Sequence, residues 1–281
     1  MKKILIFALM SLAVLWSCDT STASTINEDN KVKDTTLCQF SHIKQHKMYS
    51  YCDDDGDTLY VDNKFTALWP EVINGKPCDA LQQALFRSMT DSLELNRLDI
   101  VTDFLLNPAN YTEYDSDRFV PVETIKPTEG KLSSSEVNVI MENINDRLLI
   151  YRLSTYIYTA GAAHGIYANN YVTYDLQTDK AVALGDLIAD TTLLRSTILK
   201  SIKHEYDYDK DQLFIPDNGL LPLPRDFYIQ DEVLHVVYQV YEIASYAQGM
   251  IDAPIYPFLL KPEEMKRLLT PYGRELLVHD D

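Results

Sequence analysis

Glycine is scarce in this chain. The nine glycines are scattered, so no glycine-rich loop exists to cradle a phosphate. G-x-S-x-G is missing, which removes the sharp nucleophile turn of the α/β-hydrolases. No two cysteines stand at C-x-x-C spacing, so neither a zinc ribbon nor a dithiol redox motif is indicated. Basic residues are few: Lys and Arg total 25 against 42 Asp and Glu, a net charge of −17. A chain this acidic repels a phosphate backbone, and nucleic acid is not an expected partner. Nowhere is there an apolar run long enough to span a membrane.

The N-terminus is the first positive signal. Met1-Lys2-Lys3 is followed by the apolar run Ile4–Trp16 and then Ser17-Cys18, the layout of a secretory signal. "LWSC" (Leu15–Cys18) resembles a bacterial lipobox, which implies a lipoprotein signal peptide over 1–17 and lipidation at Cys18. Residues 18–35 are polar and read as a disordered tether. The expected location is therefore exported and lipid-anchored in the bacterial cell envelope, facing the periplasm, with the membrane reached through the lipid. An exported chain can form disulfides. Cys38, Cys52 and Cys78 are an odd set, so one thiol stays free or pairs between chains.

Periodicity then gives the elements. Two apolar-alternating arms flank "CDDDGD", a turn-forming stretch, and predict a β-hairpin from Leu37 to about Pro70. Helices are predicted after Asp79, where Leu81, Ala84, Leu85 and Met89 share a face, and over Leu95–Leu106. A strand is expected around Phe119–Ile125. A second hairpin turns at Asn143–Asp146, and a third at Asp231-Glu232. Asp190 caps a helix whose buried line is Leu194, Ile198, Ile202 and Tyr206. Residues 207–224 read as a loop, Ile255–Leu259 as a last strand, and Pro262 as a helix start. Strands and helices mix without a steady β-α-β alternation, which argues α+β with antiparallel sheets.

Candidate chemistry is thin. His42 and His46 give H-x-x-x-H, but on a strand the two rings lie roughly 13 Å apart, too far for one ion. With Gly56 as the sixth residue of a calcium loop, Tyr51 would come first and Asp62 last, where Asp and Glu are needed. No metal site and no cofactor are expected. The most distinctive stretch is "TAGAAHG" (Thr159–Gly165). His164 follows small residues that permit a tight corner and has no Ser, Cys or carboxylate at a recognisable spacing. Nineteen tyrosines, many of them in the second half, offer flat faces with polar tips.

"YTAGAAHGIYANNYVTYDLQTDKAVALGDLI" and "LHVVYQVYEIASYAQGMIDAPI" resemble the two signatures of the RsiV/PdaC-type extracytoplasmic domain family. The family pattern has Gly-Gly where this chain has Ala160-Gly161 and an added alanine, proline where Ser245 stands, and glycine where Asp179 stands. The resemblance implies two small α+β domains, at 36–160 and 161–281. It also implies an envelope module, without established catalytic residues, that binds a cell-wall component such as peptidoglycan or a wall-degrading enzyme such as lysozyme. The expected contact residues are His164, Tyr167, Glu242, Tyr246, Gly249 and Asp252. The competing reading is an envelope polysaccharide hydrolase or deacetylase, which would need converging acids or a metal.

Overall fold

The computed structural model describes residues 38–52, 55–90, 94–112, 116–125 and 132–278. The expected signal peptide, the lipidated Cys18 and the tether lie outside the described residues, as does His279. No helix among the described residues is long and apolar enough to cross a membrane.

The first hairpin forms as its alternation requires. Strand β1 (Gln39–Cys52) pairs with β2 (Thr58–Ile73) from Cys52↔Thr58 to Gln39↔Val72, with a bulge between Gln39 and Phe40. Gly56 takes a φ of 85° in the turn, a conformation glycine adopts without steric cost. Both His42 and His46 lie on β1, as expected, and the His46 ring meets the Asp62 carboxylate across the hairpin. After the short β3 (Lys76–Pro77) come helices α1 (Asp79–Thr90) and α2 (Leu98–Leu105). The predicted strand near Phe119 shrinks to β4 (Val120–Pro121), which pairs with Ser50 and Tyr49 of β1. Proline cannot donate to a ladder, which limits the pairing there.

The long central strands are β5 (Leu132–Ile144), β6 (Leu148–Tyr158) and β7 (Ile166–Asp175), followed by β8 (Lys180–Ala181). The order is β4-β1-β2-β5-β6-β7-β8, with β3 also on β2. One pair departs from the antiparallel expectation: β2 and β5 run parallel from Tyr60↔Leu132 to Ala67↔Val139. A parallel pair needs a long crossover, and residues 74–131 supply it. Helices α1 and α2 within that crossover cover one sheet face. Leu81, Leu85, Phe86, Val101 and Leu105 bury against Phe65, Trp69, Val137, Tyr151 and Tyr174. β6 and β7 pair from Leu148↔Asp175 to Ile157↔Ile166, so the sheet continues through both halves of the expected 36–160 and 161–281 division.

A second sheet has the order β11-β10-β9, made of β9 (Asp226–Gln230), β10 (Val233–Tyr238) and β11 (Ile251–Ile255). Asp231 and Glu232 both take positive φ in the β9–β10 turn, 49° and 63°, as a two-residue hairpin turn demands. After α3 (Leu184–Leu187), α4 (Thr191–Tyr206) lays Leu194, Ile198 and Ile202 on this sheet; the Asp190 carboxylate accepts from Leu193 N–H at 2.8 Å and caps α4. Helices α5 (Pro262–Leu268) and α6 (Pro271–Leu277) complete this core. The last strand lies earlier than expected, at Ile251–Ile255 instead of Ile255–Leu259. Pro257 opens a 3-10 turn over Pro257–Leu259, since its ring removes the donor a strand would need. The described residues thus form an α+β fold with six α-helices, a mixed eight-stranded sheet and an antiparallel three-stranded one.

All three described cysteines are free: Cys38 and Cys52 are exposed and Cys78 is buried. Cys38 and Cys52 sit at opposite ends of β1, roughly 45 Å apart at the rise of a strand, so they cannot pair within one chain.

Candidate binding surface

The Thr159–Gly165 turn is a small built structure. Ala162 N–H donates to Thr159 O at 2.9 Å, Gly161 takes a φ of 83°, and Ala160 N–H donates to the Ser133 hydroxyl at 2.9 Å. This holds the end of β6 against the start of β5 and projects His164 outward.

His164 then joins an aromatic ledge. Its ring stacks on Tyr246, centroids 3.9 Å apart and planes at 18°. Tyr167 meets the same Tyr246 ring edge-on at 5.8 Å, and Tyr241 meets it at 5.6 Å. His164 Nδ1 lies 3.0 Å from Gly165 O, and the Tyr246 hydroxyl donates to that carbonyl at 2.8 Å. A carbonyl only accepts, so Nδ1 is the donor in this contact. The Tyr241 hydroxyl lies 3.5 Å from Nε2. Tyr241 has a φ of 67° and is 52% exposed. A left-handed backbone is unusual for a bulky residue; here it turns the ring onto the ledge.

Small residues let the rings in. Gly165 is buried, and a β-carbon there would overlap the Tyr156 ring. At Gly249 the backbone is the reason for glycine, with a φ of 76°, since a β-carbon there would only touch the Tyr167 hydroxyl at 3.5 Å. Ser245 stands at the start of the Tyr246–Gln248 turn. Its N–H and its hydroxyl both donate to Gln248 Oε1, at 2.9 and 3.0 Å; proline could make neither bond.

Of the expected contact residues, the fold brings His164, Tyr167, Tyr246 and Gly249 together. It places the other two elsewhere. Glu242 turns inward, accepting from Gln239 N–H at 2.9 Å. Burial raises its carboxyl above the ordinary value; the Gln239 bond works against that, and nearby Asp226 adds to the rise. Asp252 lies on the second sheet, where it accepts from His235 Nδ1 at 2.9 Å and from the Tyr228 hydroxyl at 2.7 Å. Tyr228 is sandwiched between His235 at 4.4 Å and Tyr171 at 4.5 Å. Tyr156 and Tyr241 belong to the ledge but stood outside the expected contact set. Tyr241 opens the "YEIASYAQG" motif, which is the signal that points to it. Other tyrosines of the same half, Tyr174 and Tyr238, are wholly buried in the two cores.

Among the described residues no group of three or more His, Cys, Asp or Glu side chains is placed to hold a metal ion. The second half is instead fixed by buried polar groups. Asp175 opens the "DLQTDK" turn and is fully buried. Arg147 Nη2 donates to it at 2.9 Å, Arg147 Nε lies 2.8 Å away as an ion pair, Tyr272 donates at 2.7 Å, and Gln177 N–H at 2.8 Å. The motif that looks like a surface turn is thus the anchor of α6 on the main sheet.

The fold and the ledge define an α+β protein with a mixed sheet, a second small sheet, and a surface aromatic cluster where the two meet. Residues 174–256 match the family model described as "Protein of unknown function (DUF3298)". That span holds Tyr241, Tyr246 and Asp252 and begins after His164 and Tyr167. The crystal structure of a DUF3298 family member from Bacteroides fragilis is similar, with a TM-score of 0.58 at 16% identity over 86% of this chain and 97% of that one. A DUF3298 family protein from Pseudomonas aeruginosa gives a TM-score of 0.53 at 15% identity over 84% and 96%. Identities this low establish the shared fold. No curated protein matches the chain.

Proposed function

We propose that this chain is a lipid-anchored cell-envelope protein carrying a non-catalytic binding module. Its contact surface is the ledge of His164, Tyr167, Tyr241 and Tyr246, and its partner is a basic wall-degrading protein of the lysozyme type. The observation that carries this reading is the His164–Tyr246 stack. The ring nitrogens are engaged by a backbone carbonyl and a phenol, which serves ring placement more than proton transfer. Clustered tyrosines with exposed faces suit protein recognition. The net charge of −17 speeds encounter with a basic partner. The RsiV/PdaC-type resemblance of both signatures and the lipobox-like N-terminus support the same reading.

The test is lysozyme binding at about 50 mM and about 300 mM salt, with an equally basic protein of similar size as control. Binding that survives high salt, spares the control and falls roughly tenfold or more in Tyr246→Ala is expected. Binding shared with the control, or unchanged in that variant, overturns the assignment; peptidoglycan fragments are then the next ligand to measure. A polysaccharide hydrolase or deacetylase is the competing reading, and it would rest on His235 and Asp252. Turnover of wall glycan that disappears in Asp252→Asn would put it first.

A further inference from the structure

A pocket of about 550 Å³ lies behind the Thr159–Gly165 turn, apart from the ledge. It draws on the end of β1, the starts of β2 and β5, the end of β6, the turn at Pro108–Tyr111, and Phe119 just before β4. Its volume falls within the range of roughly 300–1,000 Å³ common for small-molecule sites. We infer that it is a binding site for a small uncharged ring molecule with a polar rim, of the kind a single neutral pyranose provides.

Three features lead there. The first is a stiff aromatic wall. Tyr51, Val61 and Phe119 form their own small cluster, separate from the two main cores. Tyr51 and Phe119 lie 5.4 Å apart with planes at 40°. Arg118 fixes Tyr51, donating to its hydroxyl at 3.0 Å with the guanidinium 5.3 Å from the ring centroid. Only 3% and 7% exposed, Tyr51 and Phe119 form a rigid, largely covered apolar floor that a ligand need not order on binding.

The second is a polar rim that apolar ligands would leave unused. Ser133 accepts from Ala160 N–H at 2.9 Å, and its hydroxyl keeps a proton to donate. Asn110 donates to Phe104 O at 2.6 Å and so turns its amide oxygen to accept elsewhere. Thr159 stands exposed at the mouth. The third is charge. No described lining residue is ionisable other than tyrosine, in a chain with 42 acids and 25 bases. Among the described lining residues a charged ligand finds no partner, the Arg118 guanidinium being engaged by Tyr51, and burying it unpaired would be costly. Together the wall, the donors and acceptors, and the neutrality match a ring with apolar faces and a hydroxyl edge.

The experiment is saturation-transfer NMR on the full chain with methyl β-glucopyranoside, and with glucosamine and glucuronate as cationic and anionic counterparts. Thr159→Trp fills the mouth from an exposed position, and Asn110→Ala removes one rim acceptor. Saturation transfer to the neutral ring is expected, with weak or no transfer to the charged two. Affinity should fall by roughly tenfold or more in Thr159→Trp, fall less in Asn110→Ala, and stay unchanged in Tyr246→Ala. The last result separates this site from the ledge. Absence of transfer at about 10 mM sugar, equal transfer to all three rings, or affinity untouched by both pocket variants would overturn the proposal.

Discussion

The Gln239 side chain holds the backbone of Asn169 at both ends. Its Oε1 accepts from Asn169 N–H at 2.9 Å, and its Nε2 donates to Asn169 O at 2.7 Å. One amide thus reproduces a pair of ladder bonds on the stretch of β7 that β8 does not reach, joining the large sheet to the small one. The same Nε2 reaches Asp226 Oδ2 at 3.1 Å, and Asp226 accepts from Tyr171 N–H at 3.2 Å.

Gln239→Ala removes that clamp and leaves the Asn169 groups without it. A stability loss of about 2 kcal/mol is expected, with faster hydrogen exchange at the Asn169 amide and little change in the middle of the β1–β2 hairpin. Exchange at Asn169 equal to that of the parent would show that the clamp bears no stability.

The two buried carboxylates should tilt the pH profile in opposite directions. Burial works to raise Asp175, but bonds from Tyr272, Gln177 N–H, Arg147 and Thr178 outweigh it and hold the carboxyl below its ordinary 3.8. Its contribution is therefore complete above that value and is lost as pH falls through the lower folded one. Asp226 is the reverse. Burial raises it above 3.8, and bonds from Gln239, Tyr171 N–H and Asn170 recover only part. Its contribution is complete below 3.8 and is lost as pH rises through the folded value. Asp175→Asn should cost about 3 kcal/mol near neutrality, with the gap to the parent closing below pH 3.8. Asp226→Asn should lose stability relative to the parent on acidification, since only the parent gains the protonated carboxyl's contribution. Urea midpoints at neutral and acid pH check both signs.

Two glycines predict different outcomes for one substitution. Gly273 on α6 approaches α3 so closely that a β-carbon would overlap the Leu187 carbonyl oxygen. Backbone cannot step aside, so Gly273→Ala should cost about 3 kcal/mol. Gly165 meets the far end of the Tyr156 ring instead, and Tyr156 is 43% exposed. That ring can swing into solvent, so Gly165→Ala should cost under about 1 kcal/mol while disturbing the ledge. Thermal unfolding ranks the two; a larger loss at Gly165 would contradict the packing described for both glycines.

What the sequence shows plainly here is local. Period-two alternation around Asp-Gly marks β1 and β2, and Leu194, Ile198 and Ile202 mark α4, because one short window contains the whole cause. The β2–β5 pairing is not legible, since its partners are separated by the crossover and nothing in either strand names the other. Asp175 shows the same limit: its turn is visible, but its partners Arg147 and Tyr272 come from distant segments. The ledge was half legible. His164 and Tyr246 stand in conspicuous motifs, whereas the placement of Tyr241 depends on a left-handed backbone and that of Tyr156 on the glycine opposite. The pocket draws on six separate segments, and no single window contains its chemistry.

The thiols give the last prediction. Cys78 lies buried against α1, and burial pushes its thiol up to about 11, with Glu71 and Asp79 adding to the rise although its own backbone N–H opposes it. The thiolate is the reactive form, so Cys78 should be nearly inert near neutrality. Cys38 and Cys52 are exposed and should alkylate quickly, because the length of β1 keeps them from closing on each other. Brief treatment with iodoacetamide followed by peptide mass spectrometry should find Cys38 and Cys52 modified and Cys78 protected until urea is added. Cys38 and Cys52 resisting alkylation until a reductant is added, with the chain running as a covalent dimer, would mean that their exposure serves pairing between chains.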